Sequence, residues 1–187
     1  SSLLQRNFAV HSWSYIPNFD HQIQANQAWK QFRIASRTLE ERTGGVQKSI
    51  RLGHSLGCKL HLLAPDGGRN CDGLVAISFN NFKADKSIPM LRKVSQRLNF
   101  QTEFSPSPAE TLSIIKHNYE QANNLLIRFK NDNLDQNHLL LKSLKDRDLD
   151  KSKIMQIDGT HLTPVSLGLR EKLLKSNIKG SLKYKKI

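Results

Sequence analysis

The stretch "IRLGHSLGCKLHLL", residues 50–63, holds a short apolar run, then Gly53-His54-Ser55-Leu56-Gly57, then leucines at helical spacing. The five central residues read G-x-S-x-G. A serine in that pattern sits at a sharp turn between a strand and a helix, with its Oγ projecting beyond the sheet. The backbone there is strained, and small residues two before and two after the serine let strand and helix pack closely. Here those are Gly53 and Gly57. Residues 49–53 are predicted as the strand. A helix is predicted to follow, with Leu56, Leu60 and Leu63 on one face. The motif therefore has the strand–turn–helix surroundings that a nucleophilic serine needs.

Outward from this unit, the chain alternates between short apolar runs and amphipathic segments. Strands are predicted at 7–13, 74–82, 123–129 and 153–158. The run "LVAISFNNF" is nearly continuous in apolar residues at its start, as in a strand buried on both faces of a parallel sheet. A long helix is predicted over 22–42 and stopped by Gly44-Gly45. Others are predicted near 91–98, from Pro108, over 135–146 and from Thr163. The helix at Pro108 has a full start signal: Ser107 as N-cap, proline at the first position and Glu110 closing the S-x-x-E box. Alternating strands and helices imply an α/β fold around a mostly parallel sheet.

A serine is a weak nucleophile at neutral pH until a histidine accepts its proton and a carboxylate orients that histidine. In the strand–elbow–helix fold the chain order is serine, acid, histidine. Of seven histidines, only His161 follows the last predicted strand, in "DGTHLTP". The acid is expected just past the preceding strand, where "LLIRFKNDNLDQ" offers Asp132 and Asp135. Asp132 is favoured because it stands in the loop itself, whereas Asp135 is placed to cap the next helix. Asp158 is better placed to shape its turn. The candidate set is thus Ser55, Asp132 and His161, with the backbone N–H of Leu56 as oxyanion donor. His54, Phe82, Ile88 and Met90 are expected as pocket walls. There is no H-E-x-x-H, phosphate-binding loop or dinucleotide fingerprint, so no metal and no cofactor is expected.

The chain has 187 residues, a length that suits one domain, and a formal net charge of +13. Residues 170–187 carry seven basic side chains and one acid, which supplies +6 of that charge. A basic chain end is read as a solvated tail, with weak contact to anionic surfaces as its most that it offers. No nucleic-acid motif accompanies it, so no specific nucleic-acid partner is expected. The two cysteines, Cys58 and Cys71, have neither metal-site nor redox-motif spacing and are read as reduced thiols of a cytosol-like compartment. No run approaches the ~18 apolar residues of a membrane span.

Several blocks in fixed order, "LGHSLGCKLHLL", "ISFNNF", "SIP", "EFSPSPAET", "LLIRFKNDNLDQ" and "HLTP", resemble a family of α/β-hydrolase-like proteins of cyanobacteria and plastids known as domain of unknown function 1350. The resemblance runs over about residues 8–167. It implies an α/β-hydrolase fold, a cytosolic or stromal setting, and triad-like positions at Ser55, Asp132 and His161. It also implies a small helical cap over about 83–120 within a domain of residues 1–169. Two features depart from the pattern. The loop "APDGGRNCDG" is unusual and bears on the pocket rim. The chain also offers about five strands where the full fold has eight, so the first strands, and the loop that brings a second oxyanion donor, are expected to be lacking. The expected function is hydrolysis of an ester, thioester or related acyl bond in a small acyl-bearing substrate. The alternative is a hydrolase fold retained as a binding or assembly scaffold.

Overall fold

A computed structural model describes residues 3–45, 48–84 and 103–166. Four strands, β1 (Ile50–His54), β2 (Gly73–Ile77), β3 (Asn124–Phe129) and β4 (Lys153–Ile157), form one parallel sheet in the order β1-β2-β3-β4. A short 3-10 turn, Leu4–Arg6, and helix α1 (His21–Thr43) precede β1. Helices α2 (Leu56–Leu62), α3 (Pro108–Asn118) and α4 (Asn137–Lys145) lie between successive strands.

The local signals act as the residue types dictate. Asp20 accepts a hydrogen bond from the Ile23 N–H at 2.8 Å and starts α1, and Gly44 ends it at φ 72°. Ser107 and Glu110 form the reciprocal capping box of α3. Each strand is added beside its predecessor in one direction. Right-handed crossovers of that kind place every connecting helix on the same side of the sheet. Accordingly Cys58 and Leu62 of α2, Ile115 of α3, and Leu140 and Leu144 of α4 share one core with Leu74, Ala76 and Leu126 of the sheet. Helix α1 packs outside α2, where Ala25, Leu60 and Leu63 form a smaller core with Trp13 and Tyr15 against it.

Alternation puts the other strand residues on the opposite face. Strand pairing aligns Ile50 and Leu52 of β1 with Gly73 and Val75 of β2, and Ile127 of β3 with Met155 of β4. This face is aliphatic, yet Ile50, Leu52 and Met155 are each about half exposed.

Three sequence expectations change. Residues 8–18 form no strand. Alternating Phe8 and Val10 remain exposed, and Trp13 instead stacks on Tyr15 at 4.9 Å and turns toward α1 and α2. A pattern of period two becomes a strand only where a neighbour accepts its backbone hydrogen bonds. The described residues thus hold four strands, not five. Second, of the expected cap, residues 85–102 lie outside the described set, as does the helix expected near 91–98. Its last part, α3, buries Thr111 and Ile115 beside the sheet, so it flanks the core and does not cap the site. Third, the "APDGGRNCDG" loop lies at the amino ends of the strands. There Asp66 pairs with Arg51, and Gly67 O accepts from the Glu120 N–H. The loop is remote from Ser55 and contributes nothing to the pocket rim. The basic tail, 170–187, lies outside the described residues.

Candidate active site

Four consecutive strand ends supply the site. Ser55 follows β1 directly, with φ 57° and ψ −124°. This is a conformation that a non-glycine residue adopts only when its surroundings hold it. The Ser55 N–H donates to Ile77 O at 3.0 Å, and Ser55 O accepts from the Cys58 N–H at 3.1 Å, so strand and helix both hold the turn. A Cβ on Gly53 would stand 2.6 Å from Cys58 N, which makes glycine obligatory there. Gly57 faces open space, so the expected need for a small residue holds on the strand side alone.

Beyond β3, Asp132 is buried, and its Oδ1 accepts from the Leu134 N–H at 2.9 Å. Beyond β4, the loop carrying His161 is tied to the Asp132 loop: the Asn131 N–H donates to Gly159 O at 3.0 Å. Gly159 adopts φ 143°, and a Cβ there would meet Thr163 Oγ1 at 2.6 Å. This close turn aims His161 back across the strand ends.

The three side chains form one hydrogen-bonded chain. His161 Nδ1 lies 2.9 Å from Asp132 Oδ2, and His161 Nε2 lies 3.1 Å from Ser55 Oγ. An ionised carboxylate only accepts, so Nδ1 carries the imidazole proton and Nε2 is left to accept from the serine hydroxyl. Burial raises the pKa of Asp132. The nearby Ser78 hydroxyl and hydrogen bonds from His161 and the Leu134 N–H outweigh that effect and bring it below the ordinary carboxylate value. Asp132 is therefore the ionised partner at neutral pH. Asp135 does not reach His161: its carboxylate accepts from the Asn137 N–H at 3.2 Å and from Asn137 Nδ2 at 2.8 Å. Asp158 pairs with Lys130 in an exposed contact.

His54 is corrected as a wall residue. Its Nε2–H donates to the His161 carbonyl oxygen at 2.8 Å, and the two rings are 4.9 Å apart. It supports the His161 loop from behind, and burial lowers its pKa, which favours the neutral ring that this bond uses. Leu56 and Phe82 do line the cavity in front of Ser55, while Ile88 and Met90 lie outside the described residues. That cavity measures about 370 Å³. Its other walls include Phe19, His21, Lys59, Asn80, Phe104 and Leu134. Leu56 opens α2, and a first-turn amide such as its N–H has no partner within the helix.

Two contributors escaped the sequence reading. Asn80 Nδ2 donates to Ser55 Oγ at 2.7 Å. Lys59 is buried at the back of the cavity. A signal existed for Lys59: it stands three after Leu56 and four after Ser55, on the helix face that turns inward. Asn80 lies three residues past the end of β2, beside β1, and only the strand pairing brings it to Ser55. Both cysteines are free thiols. Among the described residues no group of three or more His, Cys, Asp or Glu is placed to hold a metal, and no helix is long and apolar enough to cross a membrane.

A parallel α/β sheet with a Ser–His–Asp chain at its carboxyl edge defines the class of site. The chain belongs to the family described as "Protein of unknown function (DUF1350)", whose model matches residues 1–176. No curated protein matches it. Among solved structures it is similar to a monoacylglycerol lipase of Paleococcus ferrophilus (16% identity, TM-score 0.47, covering 73% of this chain and 66% of that one). It is also similar to the esterase Pf2001 of Pyrococcus furiosus (11% identity, TM-score 0.48, 85% and 62%). A third is the α/β hydrolase GrgF from Penicillium sp. sh18 (13% identity, TM-score 0.46, 87% and 72%). The chain spans less than two thirds of the length of the first two.

Proposed function

We propose that the protein is a serine hydrolase that cleaves an ester, thioester or related acyl bond in a small acyl-bearing substrate. The observation that carries this reading is the continuous hydrogen-bonded chain from Asp132 through His161 to Ser55 Oγ. In this reaction His161 Nε2 takes the hydroxyl proton as Ser55 Oγ attacks the acyl carbon. The Leu56 N–H donates to the oxygen that becomes negative. His161 then returns the proton to the departing alcohol or thiol, leaving an acyl-Ser55 ester. Water, deprotonated by His161, attacks that ester and releases the acid. Asp132 fixes the tautomer and stabilises the imidazolium, and Asn80 holds Oγ within reach of His161. The free thiols fit a reducing setting such as the cytoplasm or, in a plastid-bearing cell, the stroma.

A fluorophosphonate probe tests the reading. Wild type is expected to label at one site, and Ser55→Ala and His161→Ala are expected not to label. Wild-type labelling no faster than that of Ser55→Ala overturns it. The scaffold alternative draws on the aliphatic sheet face that carries half-exposed Ile50, Leu52 and Met155, and a wild-type protein inert to the probe favours it.

A further inference from the structure

The wall of the cavity holds an ammonium that no carboxylate among the described residues pairs with. Lys59 is 1% exposed, and its Nζ donates to Pro106 O at 3.0 Å. The same ammonium stands 5.9 Å from the centre of the Phe104 ring. An ammonium has three N–H donors, and among the described residues one is used. None of the described residues lining the cavity is an aspartate or glutamate. Facing it from α1 is His21, 4% exposed, whose ring lies 4.3 Å from Phe104 and whose Nδ1 has no hydrogen-bond partner among the described residues. Burial, together with the Lys59 charge, pushes the His21 pKa down to about 4, so this ring is neutral and brings no compensating charge. A buried cation left with one carbonyl and one aromatic face is unfavourable unless something else pairs with it. Holding up Pro106 O does not account for a charge, since a neutral donor satisfies a carbonyl equally well.

Lys59 follows Ser55 by four residues, about 6 Å along a helix axis. The reacting serine and the lysine thus line one cavity, one helical turn apart. Resting on the hydrolase reading above, we infer that the preferred substrate is an acyl ester or thioester carrying a carboxylate a few bonds from its reacting carbonyl, held by Lys59 with His21 beside it. One ammonium and one neutral ring suit a monoanion. A phosphoryl group would call for several charged donors or an arginine fork.

The carboxylate has two places to be: on the acyl side or on the alcohol side. Two substrate pairs separate them: mono-4-nitrophenyl glutarate against 4-nitrophenyl hexanoate, and 4-acetoxybenzoate against phenyl acetate. In one pair the anionic ester is expected to have a kcat/KM at least about tenfold higher, mostly through KM, and Lys59→Met is expected to abolish that advantage. A binding arm needs no turnover. The stable amide N-phenylglutaramate should bind wild type at least about tenfold more tightly than N-phenylhexanamide, with the difference gone in Lys59→Met. Turnover without an anionic preference in either pair overturns the inference and leaves the hydrolase reading standing. Anion binding through Lys59 without labelling or turnover overturns the hydrolase reading and keeps the anion site. Since the wild-type comparison alone can refute the inference, a Lys59→Met protein that does not fold does not protect it.

Discussion

Two cations, partly buried Arg51 and buried Lys59, stand on either side of the same strand–turn–helix unit, and their surroundings are opposite. Arg51 lies toward the amino ends of the strands, where its Nη1 and Nη2 meet the two oxygens of Asp66 at 3.0 and 2.5 Å. Asp66 also accepts from the Gly68 N–H, and ahead of β4 Arg147 pairs with a buried Asp150. Burial lowers the Arg51 pKa, but the hydrogen bond and charge of Asp66 outweigh it and the net shift is upward. Lys59, on the helix that follows, has burial as the cause of its shift and no carboxylate among the described residues to oppose it. The fold therefore closes its polar network at one end of the sheet and leaves it open at the other. The closed end is architecture. The open end is where Ser55, Asn80, Lys59 and His21 present unfilled hydrogen-bonding capacity to a cavity.

The largest effect expected separates the two ends by what they control. Asp132→Asn keeps the shape of the open end but removes the acceptor that fixes the His161 tautomer. Turnover, and the rate of fluorophosphonate labelling, should fall by about 10⁴-fold while the far-ultraviolet spectrum stays that of the wild type. A loss under tenfold would mean that Asp132 does not orient His161. Asp66→Asn is the counterpart at the closed end. It leaves the Arg51 guanidinium uncompensated and should cost about 3 kcal/mol in denaturant unfolding. The folded Asp66→Asn protein should label at the wild-type rate, because no residue of that loop reaches the cavity. Impaired labelling of a fully folded sample would break the division between the two ends.

The same division explains what was legible in the sequence. Capping boxes, glycine stops and the G-x-S-x-G turn are local, and each produced the element that its residues predict. That Ser55, Asp132 and His161 would meet was readable because a parallel sheet built by sequential crossovers delivers successive loops to one edge. Residues 7–13 misled because alternation reports only which side chains can share a face. It is silent on whether a neighbouring strand is there to bond with. The cap boundary misled for a related reason: Thr111 and Ile115 look alike in a cap or a flanking helix until the core that receives them is known. Asn80 and Lys59 went unnoticed because their roles are pairwise. A lysine among leucines reads as a solvated side chain despite its inward-facing spacing, and the fold leaves the residue 1% exposed on the cavity that Ser55 lines.

The smallest effect expected sharpens the comparison most, since it measures the open charge directly. Burial pushes the Lys59 pKa from 10.5 down to about 8. Below pH 8 the folded and unfolded chains both carry the proton, and the folded state bears the full cost of the buried charge. Between pH 8 and 10.5 the unfolded chain still binds the proton that the folded protein has released, so stability rises with pH across that window. His21, the titratable group facing Lys59 from α1, is already neutral there and contributes no slope. Other groups titrate in the same range, so the readout is the difference between wild type and Lys59→Met. From pH 7.5 to 10, wild type should gain on the order of 2 kcal/mol relative to the variant in denaturant unfolding. An anion that pairs with Lys59 should remove the same cost at pH 7.5, so that saturating N-phenylglutaramate flattens the pH dependence of the wild type toward that of Lys59→Met. A flat difference without ligand would show that Lys59 is solvated, and the contrast between the paired and the open end of the sheet would fall with it.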